Sequence, residues 1–325
     1  MKKVLITGAT GFVGGFLMAE LRENSNVKVL SVVREIKRSV GGHTIEVGDI
    51  NGSTDYSAAI KGVDVIIHCA ARAHIMRDES TEPLAEYRIV NSEGTLNLAK
   101  QAVKAGVKRF VFVSTIKVNG EHSLPGKPFK NDDIPAPIDD YGVSKFEAEI
   151  QLNELSNATG LEVVIIRPTL VYGPGVKANF ASLMNLVSKG IPIPFGCMTK
   201  NKRSLVSITN LVDLIITCID HPKAANQVFL VSDDNDLSTS EMVREMSRAL
   251  DKTVWQLPIP IWCYKLVGKL FNKTGVVDRL TGSLQVDISY TKETLGWKPP
   301  QTQQEGFKQA AQAIFFNQKL NDGEK

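Results

Sequence analysis

Short apolar runs alternate along most of the chain with longer segments whose apolar residues recur every three or four positions. The runs cover residues 4–7, 28–33, 44–47, 63–68, 110–114, 163–167 and 228–232. They are rich in Val and Ile and bounded by Gly, Asp or Lys, as strands buried on both faces are. Between them, residues 15–23, 56–61, 84–105 and 141–158 carry apolar positions at helical spacing. Gly106 and Gly160 stand where helices end. Repeated strand–helix units predict an α/β fold: a doubly wound parallel sheet with helices on both faces.

After Gly173-Pro174-Gly175 the rhythm changes. Residues 179–189 and 239–250 read as helices, with Pro-rich joints at 191–194 and 257–260. A smaller mixed α/β lobe is expected here. The predicted division is 1–175 for a nucleotide-binding domain, to which 204–233 returns, and 176–325 mainly for a substrate lobe. A closing helix is expected at 305–316, and a disordered tail at 321–325. The most apolar stretch, 259–271, carries Lys265 and Lys269 at i, i+4. It reads as an amphipathic helix packed on the lobe, with a membrane-surface role as the alternative.

Composition narrows the function classes. A net charge of +3 over 325 residues does not suggest nucleic acid or an acidic surface as partner. The four cysteines, Cys69, Cys197, Cys218 and Cys263, form no CxxC pair, so neither a metal site nor a dithiol site is expected. The apolar run after Lys2 and Lys3 is too short for a secretory signal, and no run reaches the ~18 apolar residues of a membrane span. A cytoplasmic location is expected.

Gly8-Ala9-Thr10-Gly11-Phe12-Val13-Gly14 follows the first strand directly and opens the first helix. Gly8 permits a tight turn, Gly11 a close approach of backbone to a pyrophosphate, and Gly14 close packing of helix on strand. The helix N-terminus offers N–H groups and positive potential to phosphates. At the end of the second strand, Arg34 occupies the place where an acidic residue would bind a ribose 2′-hydroxyl, with Lys37 and Arg38 nearby and Glu35 as the dissenting neighbour. Arginine suits a 2′-phosphate, so NADP(H) is favoured and NAD(H) stays possible.

Tyr141-Gly-Val-Ser-Lys145 places a phenol and an ammonium on one helix face, four residues apart. The lysine charge is expected to lower the phenol pKa, so that Tyr141 exchanges a proton with an alcohol while hydride is transferred. Ser114 and Thr115 end the fifth strand, and the Thr115 hydroxyl is available to hold the substrate oxygen.

These motifs together resemble the extended short-chain dehydrogenase/reductase family, in its NAD-dependent epimerase/dehydratase branch. The resemblance spans nearly the whole chain and implies a Rossmann fold. It implies that Asp49 and Ile50 contact adenine, that small Ala70 and Ala71 pass the ribose and phosphates, and that Asn91 supports Lys145. It implies that the stretch from Arg167 through Tyr172 to Gly175 runs over the nicotinamide. Lys177 and Asn179 resemble the segment that holds the diphosphate and uracil of UDP-sugars, and Arg203 and Arg279 are candidate diphosphate clamps. Homodimers built on helices 84–105 and 141–158 are also implied.

Ile116 and Lys117 stand where related 4,6-dehydratases carry an Asp-Glu pair, which argues against dehydration. The resemblance leaves 4-epimerisation and 4-keto reduction. Three residues tilt the reading to reduction: Arg34 for NADPH, Lys117 as a positive charge beside the substrate, and Asn119 in place of the tyrosine common in epimerases. The stretch from Ser114 to Glu121 is similar to bacterial reductases of UDP-4-keto-6-deoxy-N-acetylglucosamine that serve lipopolysaccharide O-antigen and other surface-polysaccharide synthesis. Residues 284–287 hold no aromatic side chain, which leaves room for an acetamido group. A UDP-sugar 4-epimerase is the alternative. A non-catalytic NADP-sensing protein is a remote one, since such proteins lose the Tyr/Lys pair kept here.

Overall fold

The computed structural model describes residues 1–36, 43–73, 81–176 and 178–323, with the side chains of 178–179 and 315–323 outside the description. Lys37, Arg38, Lys177 and the Asn179 side chain thus lie outside the described part. The strands are β1 (Lys2–Thr7), β2 (Val27–Val33), β3 (His43–Glu46), β4 (Val65–His68), β5 (Arg109–Val113), β6 (Glu162–Pro168), β7 (Leu170–Tyr172), β8 (Arg203–Ser207), β9 (Gln227–Val231) and β10 (Asp236–Leu237). The helices are α1 (Phe12–Glu23), α2 (Ser57–Ile60), α3 (Pro83–Arg88), α4 (Gly94–Lys104), α5 (Asp140–Thr159), α6 (Ala178–Ser188), α7 (Ile208–Asp220), α8 (Thr239–Ala249), α9 (Ile261–Leu270), α10 (Thr274–Thr281), α11 (Ser289–Leu295) and α12 (Gln303–Gly323).

The first sheet has seven parallel strands in the order β3-β2-β1-β4-β5-β6-β9. This is the Rossmann order with β9 added. Side-chain alternation explains why β1 reads as continuously apolar. Val4 and Ile6 join the core under α1 and α7, while Leu5 joins the core under α4 and α5. Of the segment 204–233, α7 and β9 pack with this sheet. β8 does not: it lies between β7 and β10 in a separate three-stranded sheet.

That small sheet frames the second lobe. Its core stacks Tyr172, Phe180 and Phe307, with ring centroids 5.0–5.5 Å apart. Tyr172 is wholly buried there and donates to Asp233 Oδ2 at 2.7 Å. It therefore does not line the nicotinamide region as expected. The helix expected at 84–105 runs from Pro83 to Lys104 and contains a π-turn, Ile89–Glu93, that faces Asn91 and Ser92 inward. One further expectation needs correction. The apolar stretch 259–271 forms α9, but its large side chains are mostly exposed and only Gly268 is buried. The closing helix continues to Gly323.

Helix α5 carries polar groups into the interior beside the strand ends. Asp139 caps it by accepting from Gly142 N at 2.7 Å, and Gly160 closes it at φ 77°. Its buried face includes two charged residues, Lys145 and Glu149. Glu149 pairs with Arg167 of β6 at 2.6 Å, and both side chains are almost fully buried. Ser114 donates to Glu149 at 2.5 Å, and Arg167 donates to Asn119 Oδ1 at 2.9 Å. This network ties α5 to the ends of β5 and β6. Removing one member of a buried pair strands the other. Glu149→Ala is accordingly expected to cost about 3–5 kcal/mol in urea unfolding, and Glu149→Leu with Arg167→Met to recover most of it. An unchanged midpoint in Glu149→Ala would deny the clamp.

Candidate active site

The glycine turn is built as the sequence implies. Gly8 takes φ 72°, and a Cβ there would stand 2.7 Å from Ala70 N. A Cβ on Gly14 would stand 2.2 Å from the Gly8 carbonyl oxygen, so only glycine lets α1 approach β1 this closely. Gly11 is the N-cap of α1. No side chain caps it and no acidic residue occupies the first turn. Gly11 and Thr10 are exposed, and Phe12 and Val13 are half-buried. The cradle and the helix end fit a dinucleotide pyrophosphate. At the neighbouring edge, Arg34 reaches Asp49 Oδ1 at 3.8 Å, both side chains well exposed. Ile50 packs against Gly94, where a Cβ would meet its Cγ2 at 2.6 Å.

A buried polar chain organises the segment after β4. Ala70 N–H donates to Thr7 Oγ1 at 3.2 Å, and Thr7 Oγ1 lies 2.7 Å from His68 Nδ1. His68 Nε2 lies 2.9 Å from Thr95 Oγ1, which donates to the Asn91 carbonyl at 2.7 Å. Because Thr95 uses its proton on Asn91, His68 must donate from Nε2 and accept from Thr7 at Nδ1, a tautomer assigned from the network. Burial and the Lys145 charge push the His68 pKa down to about 3, which keeps the ring neutral. The Asn91 side chain grips both backbone polar groups of Arg72 and donates to Ser144 Oγ on α5 at 3.0 Å. Asn91 thus joins the segment carrying Ala70 and Ala71 to α5.

Lys145 emerges into this setting. Its ammonium sits 3.8 Å over the centroid of Phe112, whose ring stacks on His68. Burial lowers its pKa to about 7, against the opposing pull of Glu149 and Cys69. Tyr141 is half-buried, edge-on to Tyr87 at 6.1 Å. Burial pushes its phenol upward, and the charges of Asp139 and Tyr87 add to that. This corrects the expectation that Lys145 would lower it: the ammonium faces Phe112, His68 and Cys69 instead.

Thr115 caps the short turn Ile116–Val118 by accepting from Lys117 N at 3.3 Å. A Cβ on Gly142 would stand 3.1 Å from the Lys117 carbonyl, so this glycine lets the Thr115 turn pack against the helix start that bears Tyr141. Lys117, expected to face substrate, forms ion pairs with Asp139 and Glu121. In the second lobe, Arg203 Nη1 donates to the Arg279 carbonyl at 3.0 Å. The Arg203 pKa is lowered by burial and by the Arg279 charge. Arg279 lies near enough for its charge to act on Arg203, and a bound anion such as a diphosphate would relieve that repulsion.

Several residues that hold the site escape a reading of the sequence: Asp139, Gly142, Glu149 and the paired roles of His68 and Arg167. Glu149 left a signal, since a carboxylate four residues after Lys145 falls on the buried face of α5.

Comparison with known proteins bears on the assignment. Residues 4–232 match the NAD dependent epimerase/dehydratase family. The UDP-glucose 4-epimerase of Vibrio cholerae is 67% identical over 314 residues, covering 97% of this chain and 96% of that protein. The N-acetyl-alpha-D-glucosaminyl-diphospho-ditrans,octacis-undecaprenol 4-epimerase of Escherichia coli O157:H7 is 28% identical, covering 98% and 97%. Among solved structures, the UDP-glucuronic acid 4-epimerase of Bacillus cereus in complex with NAD superposes with a TM-score of 0.76 at 20% identity, covering 97% and 99%. That likeness bears out the fold. The expected preference for NADP(H) finds no support here, and epimerisation is favoured over reduction.

The setting of Lys145 has a measurable consequence. Its pKa falls from 10.5 to about 7 on folding. Between those values the unfolded chain holds more protons, so stability rises with pH. The cost of burying the charge is full below the folded pKa and disappears above the unfolded one. Lys145→Met should therefore raise the urea midpoint of the cofactor-free protein most near about pH 6, with a gain that fades toward about pH 10. An equal gain at both would contradict the dry setting.

Proposed function

The chain belongs to the NAD dependent epimerase/dehydratase family, and on that premise we propose that it is a UDP-hexose 4-epimerase that keeps NAD bound through its cycle. The observation that carries this reading is 67% identity, over 97% of the chain, to the UDP-glucose 4-epimerase of Vibrio cholerae. The geometry supports it by weakening each ground for a reductase. Arg34 has Asp49 as a charge partner, which lessens its claim on a 2′-phosphate. Lys117 is paired with Asp139 and Glu121. Asn119 is buried against Arg167, so its replacement of a tyrosine reflects packing. Leu284 and Val286 belong to the buried core rather than to a sugar pocket.

In this reading, residues 1–175 with α7 and β9 hold the dinucleotide, and the rest mainly holds the sugar nucleotide. Gly8, Thr10, Gly11, Phe12, Val13 and Gly14 face the pyrophosphate. Asp49 and Ile50 flank the adenine, and Ala70 and Ala71 leave room for the ribose. When bound, NAD supplies a reversible hydride acceptor. Tyr141 takes the proton of the C4 hydroxyl and returns it to the oxygen after the sugar has turned over. Thr115 donates to that oxygen and orients it. Lys145 contributes the positive charge of the pair, and in the cofactor-free protein Phe112 and the neutral His68 hold its ammonium away from Tyr141. Arg203 and Arg279 bind the substrate diphosphate by charge-assisted hydrogen bonds. Ile116 cannot move a proton and Lys117 is held in ion pairs with Asp139 and Glu121, so the pair lacks the two carboxyl groups that loss of water from the sugar would use.

The test is direct. Incubated with UDP-glucose and no added reductant, the protein should form UDP-galactose, read by chromatography. Tyr141→Phe should lower turnover by about 10²–10⁴ while NAD still binds. Wild-type turnover in that variant would remove Tyr141 from the reaction. Stoichiometric NADPH consumption with UDP-4-keto-6-deoxy-N-acetylglucosamine, and no epimerisation, would restore the reductase.

A further inference from the structure

The helical hairpin α9–α10 of the second lobe presents an apolar face that nothing among the described residues covers. Trp262, Leu266 and Leu270 recur every four residues along α9 and are 66%, 61% and 77% exposed. Phe271, which follows α9, is 66% exposed, and Trp255, just before it, is 74% exposed. Isolated exposed leucines need no explanation, but a contiguous set of large apolar and aromatic side chains marks a contact surface. The face is held in place from behind. Tyr264 packs towards Phe195 at 6.4 Å, and Gly268 lets α10 approach so closely that a Cβ would meet Val277 at 2.6 Å. The hairpin is therefore a fixed part of the lobe.

The charges around this face have one sign. Between Asp251 and Asp278 the chain has no acidic residue and four lysines: Lys252, Lys265, Lys269 and Lys273. At 100° per residue, Lys265 and Lys269 fall along one edge of the Trp262–Leu266–Leu270 stripe, and Lys273 follows the helix end. A long lysine side chain can lay its methylenes along apolar material while its ammonium stays in water. Tryptophan favours the boundary between hydrocarbon and water, and a helix with lysines beside an aromatic and aliphatic stripe lies in the interface plane.

We propose that the α9–α10 hairpin docks this protein on an anionic lipid bilayer surface. The apolar stripe enters the headgroup region, and Lys265, Lys269 and Lys273 meet the negative lipid charge. The hairpin also leads into the candidate site, because α10 carries Arg279, whose carbonyl accepts from Arg203. The docking face is separate from the reacting groups, so binding to lipid and turnover of substrate can be measured independently.

The full chain would be mixed with vesicles of phosphatidylcholine containing about half phosphatidylglycerol, and with vesicles of phosphatidylcholine alone. It should sediment with the anionic vesicles, and its tryptophan emission should shift to the blue as Trp255 and Trp262 leave water. Leu266→Glu with Leu270→Glu should abolish binding while UDP-glucose turnover in solution stays unchanged. Lys265→Glu with Lys269→Glu alters charge alone and should weaken partitioning by more than about tenfold, since each lysine near an anionic surface contributes about fivefold. A wild-type protein that stays in the supernatant with both vesicle types would overturn the proposal. So would concentration-dependent self-association that is lost in Leu266→Glu with Leu270→Glu, without vesicle binding, because a second copy would then cover the face.

Discussion

The ion pair between Glu149 and Arg167 sets the register of α5, the helix that carries Tyr141 and Lys145. Tyr141, Lys145 and Glu149 follow at four-residue steps on α5, so they share one face. The last of the three is tied to β6 by paired hydrogen bonds and to Ser114 at the end of β5. The first two are thereby carried to the carboxyl ends of the parallel strands, where ligands bind in open α/β sheets. Burying two charges is costly and gives little net stability compared with an apolar pair. What the pair supplies is register: a rotation or slide of α5 would break several short hydrogen bonds at once.

A second, neutral network complements the charged one. The chain from Ala70 through Thr7, His68 and Thr95 to Asn91 links the end of β4 to the π-turn before α4, and Asn91 continues to Ser144 on α5. Each donor has an acceptor, so the buried polar groups are satisfied without an ion. Its neutrality also matters for Lys145. The ammonium meets an aromatic face and an uncharged imidazole, and Glu149, the carboxylate whose charge acts on it, is itself paired with Arg167. Lys117, by contrast, is paired directly with Asp139 and Glu121.

Much of the fold is legible in the sequence because parallel strands buried on both faces read as unbroken apolar runs. The glycine turn is legible because each of its glycines answers a separate steric demand. The partners of charged side chains are not. Arg34 reads as a phosphate ligand until the fold brings Asp49 beside it, and Lys117 reads as a substrate contact until the cap of α5 claims it. Asn119 reads as a sign of specificity, and only the fold reveals Arg167 as its partner. Similarly, periodicity reveals that α9 has an apolar stripe but not whether anything covers it. Sequence alone puts β8 in the wrong sheet, since a short strand carries no mark of its neighbour.

In the proposed cycle, hydride leaves and returns at sugar C4 while α5 manages the proton. Epimerisation of UDP-glucose labelled with deuterium at C4, run in ordinary water, tests this most directly by mass spectrometry and proton NMR of the product. Retention of the deuterium at C4 of UDP-galactose is predicted. Its replacement by solvent hydrogen would contradict the cycle, since C4 would then have been inverted by deprotonation at carbon.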